Sequence, residues 1–287
     1  MKKSGSIGNK EVMMEELKLR GYVSPEDFDG TPADKIQNAL DLAEKEDIRK
    51  VVIEGGYLVD RTVFIPSQTE IILKKDAFLV RTGEGPLFMN RVASEKGKNS
   101  WSFEDERIYL KGEENAEIKG DLSFYHAKYV VLEDLRIAGT VCFEFCREVR
   151  MERDEITGKE NAVVLERGCN NFIMQYLKLH AEDTALVLDT RLQSGPYVIG
   201  KDEEIHEIIF RDSQLNALTG VKLGASEEFG LFNIQIDHHK CSGKGIVIGD
   251  GLGLPEKRFF NITATDLAAE GEERIMRNEV RHCFFGN

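Results

Sequence analysis

Two adjacent carboxylates, Glu182 and Asp183, directly precede a strand-like run at 184–188 (TALVL). Adjacent like charges repel each other, so the pair needs either solvent or a function to account for it. Paired carboxylates supply the acid and the base that hydrolyse a glycosidic bond. Glu160 precedes a similar run at 161–165 (NAVVL). We therefore expect either a catalytic site, with Asp183 as the acid and Glu182 and Glu160 positioning or activating water, or a solvated polar turn.

Further residues are candidates for substrate binding because of their chemistry. Asn161 follows Glu160 directly, and Lys222 and Lys244 could neutralise a carboxylate of the substrate. His238 could serve as a proton shuttle, as histidine side chains do in many enzymes. Trp101, the only tryptophan, could stack on a sugar ring. For each of these residues, a role in a turn or in packing is the alternative.

The sequence predicts no metal site and no cofactor. Cys142-x-x-x-Cys146 has no second cysteine pair at zinc spacing, so we expect reduced and mostly buried cysteines. His238 and His239 are adjacent, and adjacent residues of a strand point to opposite faces, so they do not chelate one ion together.

The overall charge argues against a broad nucleic-acid-binding surface. Acidic residues number 51 and basic residues 38, which gives a net charge of −13, whereas a phosphate backbone needs positive charge. No apolar stretch approaches the ~20 residues of a membrane helix, so no membrane partner is expected. The N-terminus does not resemble a secretory signal. We expect a cytoplasmic protein, or a secreted or virion-associated one if a leader has been removed.

The first predicted element is an N-terminal helix at 31–47, in which Thr31 suits the N-cap and Pro32 the first helical position. The polar stretch 82–106 is long for a plain connection, so we expect a binding loop or lid there. Between them, four short strands are predicted, at Val51–Ile53, Tyr57–Val59, Thr62–Ile65 and Glu70–Leu73.

The chain becomes repetitive over 107–287. Val149 and Phe172 occupy similar places 23 positions apart, and Ile208 and Phe232 lie 24 apart. Strand-like repeats of roughly 20–25 residues are typical of a solenoid. Leucine-rich repeats share this period, but their fixed Leu and Asn positions are missing here. We therefore predict an all-β fold, a single right-handed parallel β-helix domain over 1–287 whose open end is capped by the helix.

Equivalent residues of successive coils in a β-helix stack ~4.8 Å apart. This register places Glu160 beside Asp183. It also stacks Glu144, Glu166 and Asp189, for which we expect a solvated face that prevents edge pairing, with a Ca²⁺ site as the alternative. The inward ladders are predicted to contain Val163/Leu165, Leu186/Leu188, Val221/Leu223 and Ile246/Ile248.

Two stretches carry a resemblance to a known family. Residues 30–80, with a helix followed by a strand marked by glycines (GGYLV), resemble the opening of the pectin lyase-like superfamily, in particular of the polygalacturonase-type glycoside hydrolases of family 28. Residues 169–189, CNNFIMQYLKLHAEDTALVLD, are similar to the coil of that family that carries two aspartates. The resemblance covers roughly residues 28–251.

The resemblance places the paired aspartates of the family at Glu182 and Asp183, and a third aspartate at Asn161. Thr219 stands where the family has a histidine, and Lys244 alone lies near its Arg-x-Lys position. The resemblance therefore implies that this chain has only some of the catalytic residues of the family.

The resemblance implies a carbohydrate-active protein, a glycoside hydrolase that cleaves an acidic, pectin-like poly- or oligosaccharide by general acid/base catalysis. One alternative is a polysaccharide lyase or sugar epimerase on the same scaffold. A second is a non-catalytic carbohydrate-binding or phage-tail-like β-helix, for which a homotrimer is expected. A fold alone does not decide between these functions.

Overall fold

The computed structural model describes residues 15–94, 104–193, 203–249, 258–266, 280–281 and 284–285. Its strands form three parallel sheets, which we call sheets A, B and C. The chain passes from A to B to C and then returns to A one layer higher. This is the predicted right-handed parallel β-helix. No helix within the described part of the chain is long and apolar enough to cross a membrane.

The strands are numbered in chain order. The first nine are β1 Lys50–Ile53, β2 Gly56–Val59, β3 Val63–Ile65, β4 Thr69–Leu73, β5 Phe78–Arg81, β6 Phe88–Asn90, β7 Asp105–Gly112, β8 Glu117–Lys119 and β9 Leu122–Tyr125. The next nine are β10 Ala127–Glu133, β11 Arg136–Ala138, β12 Val141–Glu144, β13 Arg147–Glu152, β14 Glu155–Thr157, β15 Asn161–Glu166, β16 Asn170–Gln175, β17 Lys178–His180 and β18 Thr184–Asp189. The last are β19 Ile205–Arg211, β20 Gln214–Asn216, β21 Thr219–Gly224, β22 Leu231–Asp237, β23 Lys240–Cys241, β24 Lys244–Ile248, β25 Phe259–Thr265, β26 Val280–Arg281 and β27 Phe284–Phe285.

The three sheets are ladders of consecutive coils. Sheet A runs β1-β4-β7-β10-β13-β16-β19-β22-β25-β26, with β27 also paired to β25. Sheet B runs β2-β5-β8-β11-β14-β17-β20-β23, and sheet C runs from β3 through β6, β9, β12, β15, β18 and β21 to β24. We call the connections from sheet B to sheet C the B–C turns, and likewise the A–B and C–A turns.

The N-terminal helix α1 spans Pro32–Lys45 and begins with a capping box. The backbone N–H of Asp34 donates to Thr31 Oγ1, and the N–H of Thr31 donates to the Asp34 carboxylate, so two free helix-end donors are satisfied. The buried face of α1 contains Ala33, Ile36, Ala39, Leu40 and Ala43. Because this face packs on the first strands, α1 caps the open end as predicted. A parallel bridge between Val23 and Val51 shields the edge of β1.

The interior is filled by stacked apolar side chains. In sheet C, Val163 pairs with Leu186 and Leu165 with Leu188, and the ladder continues through Val221. The predicted ladder residues are at most 2% exposed, so these predictions are confirmed. Elsewhere in the core, the ring centroids of Phe124 and Phe143 lie 5.3 Å apart. All four described cysteines are free; Cys146 and Cys169 are buried, and Cys142 and Cys241 are half-buried.

Sheet A strands bend outward at one residue in each coil. Asn170 pairs with His206 and Phe172 with Ile208, so the residue between each pair drops out of the ladder. Asn171 has a φ of +57°, in the left-handed region, which asparagine adopts more readily than most residues. The bend is repeated at Arg107, Tyr129, Glu148, Asn171, Glu207, Asn233 and Asn261.

The prediction for 82–106 is partly wrong. Strand β6 lies in this stretch and pairs with β3 and β9 in sheet C, and a 3₁₀ helix follows at Arg91–Ser94. The alternation in β6 is too short to stand out in a polar sequence, yet Phe88 is fully buried. Residues 95–103, which include Trp101, lie outside the described residues. A second 3₁₀ helix, at Pro25–Asp27, precedes α1.

Candidate functional site

The carboxylates Glu160, Glu182 and Asp183 lie together on two successive B–C turns, and we call them the acid cluster. The backbone N–H of Asp183 donates to the carbonyl of Glu160 at 3.1 Å, and that of Glu182 to Lys159 at 3.1 Å. Asn161 pairs with Thr184 at the start of the adjoining strands. The register is therefore as predicted, and Glu160 and Asp183 are neighbours on adjacent coils.

All three side chains of the acid cluster are exposed to solvent. Asp183 accepts a hydrogen bond from Thr184 Oγ1 at 3.2 Å. Within the described part of the chain, no lysine or arginine forms an ion pair with Glu160, Glu182 or Asp183. These carboxylates are therefore available to a molecule that binds at this surface.

The predicted substrate-binding residues lie at different distances from the acid cluster. Asn161 is half-buried beside Thr184. Lys244 is exposed opposite Thr219, and lies three coils beyond Asn161. Lys222 lies beside Val187 in sheet C, three positions along the strand from Thr219, which corresponds to ~10 Å. Only Asn161 therefore adjoins the acid cluster, and the lysines lie further along the surface.

The structure does not bring His238 to the acid cluster. His238 occupies an A–B turn with a φ of +55°, and its Nε2 lies 3.4 Å from a carboxylate oxygen of Asp266. The whole of sheet B separates the A–B turns from the B–C turns. His238 is therefore an exposed residue at a left-handed turn position, away from the acid cluster, and its role in substrate binding stays a prediction. His239 is buried instead, with its Nε2 2.9 Å from the carbonyl of Phe210.

Two residues near the acid cluster were not predicted as site residues. His180 ends β17, and its Nδ1 lies 3.3 Å from the amide nitrogen of Asn216 on the next coil. Leu218, which occupies the Asp183 position on the next coil, is 68% exposed. His180 stands only two residues before Glu182, and Leu218 interrupts a polar turn. Both signals were therefore present in the sequence.

The other end of the same sheet C strands carries the second set of acids, and the prediction for it is wrong. Glu144, Glu166 and Asp189 are buried, at 1%, 6% and 4% exposure, and do not form a solvated face. Arg167 Nε lies 3.2 Å from Glu144, and Arg191 Nη2 lies 2.6 Å from Asp189. The repulsion between stacked acids is thus balanced by arginine.

A metal ion is not needed to balance these charges. No group of three or more histidine, cysteine or acidic residues in the described part of the chain is arranged to hold one. Arg167 instead bridges two carboxylates, because its Nη1 also lies 3.0 Å from Glu203.

The chain was compared with known proteins. Neither a protein-family model nor a curated protein matches it. Among solved structures, the family 28 exopolygalacturonase of Yersinia enterocolitica is 10% identical over 93% of this chain and 71% of its own, with a TM-score of 0.59. The surface protein and adhesin PfbA of Streptococcus pneumoniae is 13% identical over 93% of this chain and 97% of its own, with a TM-score of 0.54.

A third similar structure is a tailspike protein mutant of E. coli bacteriophage HK620 in complex with a pentasaccharide. It is 11% identical over 86% of this chain, with a TM-score of 0.56, and the match spans 51% of the tailspike chain. These structural neighbours are pectin lyase-like parallel β-helix proteins and include a family 28 enzyme. At such identities the likeness shows the fold, which is the fold that the sequence resemblance implied.

Proposed function

We propose that the protein binds a poly- or oligosaccharide on the surface around the B–C turns and hydrolyses a glycosidic bond there with the acid cluster. The observation that carries this proposal is the stacking of Glu160 on Asp183 in adjacent coils, with both side chains exposed and neither in an ion pair with a described residue. Carboxylates about 5 Å apart suit a retaining mechanism, and about 6.5–9.5 Å an inverting one.

In the proposed reaction, Asp183 donates a proton to the oxygen of the leaving sugar. Glu182 or Glu160 acts on the anomeric carbon, either directly as a nucleophile or by taking a proton from the attacking water. His180 lies two residues before Glu182, at the end of β17, and is a candidate to exchange protons with these acids. The exposed Leu218 offers an apolar face against which a sugar ring can pack.

The charge pattern supports an acidic sugar as the substrate class. Lys159 is exposed and lies opposite Glu182, and Lys244 is exposed further along the same surface. Lys159 therefore adjoins the acid cluster, and Lys244 lies two coils beyond Asp183. A uronic acid residue bound beside either lysine would meet a cation on the same surface as the acid cluster. The similar structures support the substrate class only in general, because one is an exopolygalacturonase and another was solved with a pentasaccharide.

A non-catalytic carbohydrate-binding β-helix is the second candidate function. The observation that favours it is the side chain at the position of the family's histidine, where Thr219 pairs with Thr184 and Lys244. A threonine does not transfer a proton as histidine does. Stable glycan binding by a homotrimer, with no product formed, is the result expected for this candidate.

The test is a screen of acidic and neutral polysaccharides for new reducing ends and for unsaturated products that absorb in the ultraviolet. We expect new reducing ends with at least one acidic substrate, and a loss of about 100-fold or more in rate for Asp183→Asn. Asp29→Asn changes an exposed acid that precedes α1 at the capped end of the β-helix, outside the acid cluster, and serves as the matched control, which retains full activity. Unsaturated products would indicate that the protein is a lyase and not a hydrolase. Full activity of Asp183→Asn would overturn the proposal.

A further inference from the structure

The outer surface of sheet A carries a groove of about 440 Å³ that extends across β16, β19, β22 and β25. We call it the sheet A groove. It follows the axis of the β-helix and lies on a different sheet from the strands that adjoin the acid cluster. One of its walls consists of residues at the outward bends, Asn171, Glu207, Asn233 and Asn261.

The bends determine the spacing of this wall. Each bend residue is left-handed, so its side chain leaves the ladder and projects outward, once per coil and ~4.8 Å from the next. Asn261 Nδ2 donates to Asn233 Oδ1 at 2.8 Å, which orients both amides along the groove. Each amide retains further donor and acceptor capacity for a ligand.

The opposite wall changes from apolar to polar along the groove. It begins with Ile173, which is 41% exposed, and Ile209, which pairs with it on the next coil. It continues with Gln235 and Thr263. A ligand in the groove therefore meets amides on one side and an aliphatic surface on the other.

We propose that the sheet A groove binds an uncharged oligosaccharide whose chain lies parallel to the axis of the β-helix. Amides donate to and accept from neighbouring hydroxyls, and the C–H face of a sugar ring packs on aliphatic side chains. The ~4.8 Å repeat of the coils is close to the length of one sugar in an extended chain. The volume lies within the ~300–1,000 Å³ of small-molecule sites.

Charge favours an uncharged ligand. Of the described residues that line the groove, Glu207 alone is ionisable. A phosphate, a uronic acid or a nucleic acid would therefore meet no cation there, and it would meet one carboxylate. Glu207 can instead accept hydrogen bonds from two hydroxyls of a neutral sugar.

Backbone pairing excludes an added peptide strand. β16, β19 and β22 each have a hydrogen-bonded neighbour on both sides within sheet A. An extended peptide binds a sheet by pairing with a free edge, and the groove lies over the middle of the sheet. A peptide would have to bind through side chains alone, whereas a sugar chain needs no strand edge.

The test measures binding of neutral hexasaccharides of glucose, mannose, galactose and xylose by calorimetry. We expect at least one to bind, and Asn233→Asp to weaken binding about tenfold or more, since it replaces two donors by a charge. Asparagine and aspartate both tolerate the left-handed region, so the backbone is kept. Gln68→Glu is the matched control, because Gln68 is exposed at a left-handed position in another cavity of the same sheet face.

A second readout does not depend on the variant. Side-chain amide signals of Asn233 and Asn261 should shift on titration of the wild-type protein with the bound sugar. The inference is overturned if no neutral hexasaccharide binds, or if binding is unchanged in Asn233→Asp. If the sugar binds but its binding is lost in Asp183→Asn, the sugar binds at the acid cluster and not in the sheet A groove. The test of the groove and the test of the proposed hydrolase activity therefore fail through different results.

Discussion

The strands of sheet C carry carboxylates at both ends, and the two ends differ in almost every physical respect. β18 begins directly after Asp183, which is exposed and has no ion-pair partner in the described part of the chain. It ends at Asp189, which is 4% exposed and bonded to Arg191. The same residue type, six positions apart, is therefore available to ligands at one end and committed to structure at the other.

Arginine accounts for the difference. A buried carboxylate is costly unless a cation and hydrogen bonds compensate it. Arg167 follows β15 directly and lies over the Phe145 ring at 5.4 Å while contacting two acids. In the acid cluster, by contrast, no carboxylate forms an ion pair with a described lysine or arginine, and solvent stabilises the charge. Stacked acids in a β-helix thus become structural where an arginine covers them, and remain available where none does.

The largest effect is expected at the buried end. Arg167→Met leaves Glu144 and Glu203 buried without their bridging cation, and should lower the free energy of unfolding by about 3–5 kcal/mol. Chemical denaturation followed by circular dichroism measures this change. Arg191→Met is the matched control and should cost less, because the Arg191 side chain is 33% exposed and that of Arg167 is 11% exposed. If both variants lose equally little free energy of unfolding, the arginines do not compensate the buried carboxylates.

A buried acid that has no ion pair among the described residues sharpens the comparison. Asp154 is 1% exposed, and burial raises the pKa of its carboxyl to about 8. The folded protein thus holds a proton that the unfolded chain releases near pH 4. The stability from this group is complete below about pH 4 and is lost as the pH rises through about 8, by up to ~1.4 kcal/mol per pH unit.

Asp154→Asn should remove this part of the pH dependence. Its Oδ1 still accepts from the N–H of Leu135, as that of Asp154 does at 3.0 Å. Free energies of unfolding measured from pH 4 to 8 should therefore fall less steeply in the variant than in the wild type. Asp29→Asn, at an exposed site, should follow the wild type. Parallel curves for all three proteins would contradict the raised pKa.

The smallest effect is expected at the exposed end. Glu182→Gln removes one charge from a solvated turn and should change the free energy of unfolding by no more than about 0.5 kcal/mol. The same denaturation measurement checks it. Destabilisation comparable with that of Arg167→Met would mean that the two ends do not differ as described.

The sequence was sufficient for the fold because β-helix coils repeat their apolar pairs. Leu186 and Leu188 recur as Val221 and Leu223, and this recurrence also fixed the register of Glu160 on Asp183. The sequence was not sufficient to predict which of the acids are buried. Glu160 and Glu166 are the same residue at two ends of one strand, and nothing in the alternation distinguishes the exposed one from the buried one.

The unpredicted features depend on three-dimensional contacts. The burial of Glu144 is compensated by Arg167, which comes from the following coil, 23 positions later. The sheet A groove depends on left-handed bends, whose only sequence signal is an asparagine or charged residue at similar spacing, such as Asn233 and Asn261. The sequence places His180 two residues before Glu182, but its contact with Asn216 on the next coil follows only from the stacking of the coils.

Asp183→Asn and Asp189→Asn, compared on one acidic polysaccharide that the wild type cleaves, test the difference between the two ends most directly. For Asp183→Asn we expect a loss of about 100-fold or more in kcat/KM and a change of no more than about 0.5 kcal/mol in the free energy of unfolding. For Asp189→Asn we expect the reverse, a measurable loss of stability with activity kept in the folded protein. Full activity of Asp183→Asn, or the loss of activity only in Asp189→Asn, would contradict the assignment of catalysis to the exposed acids.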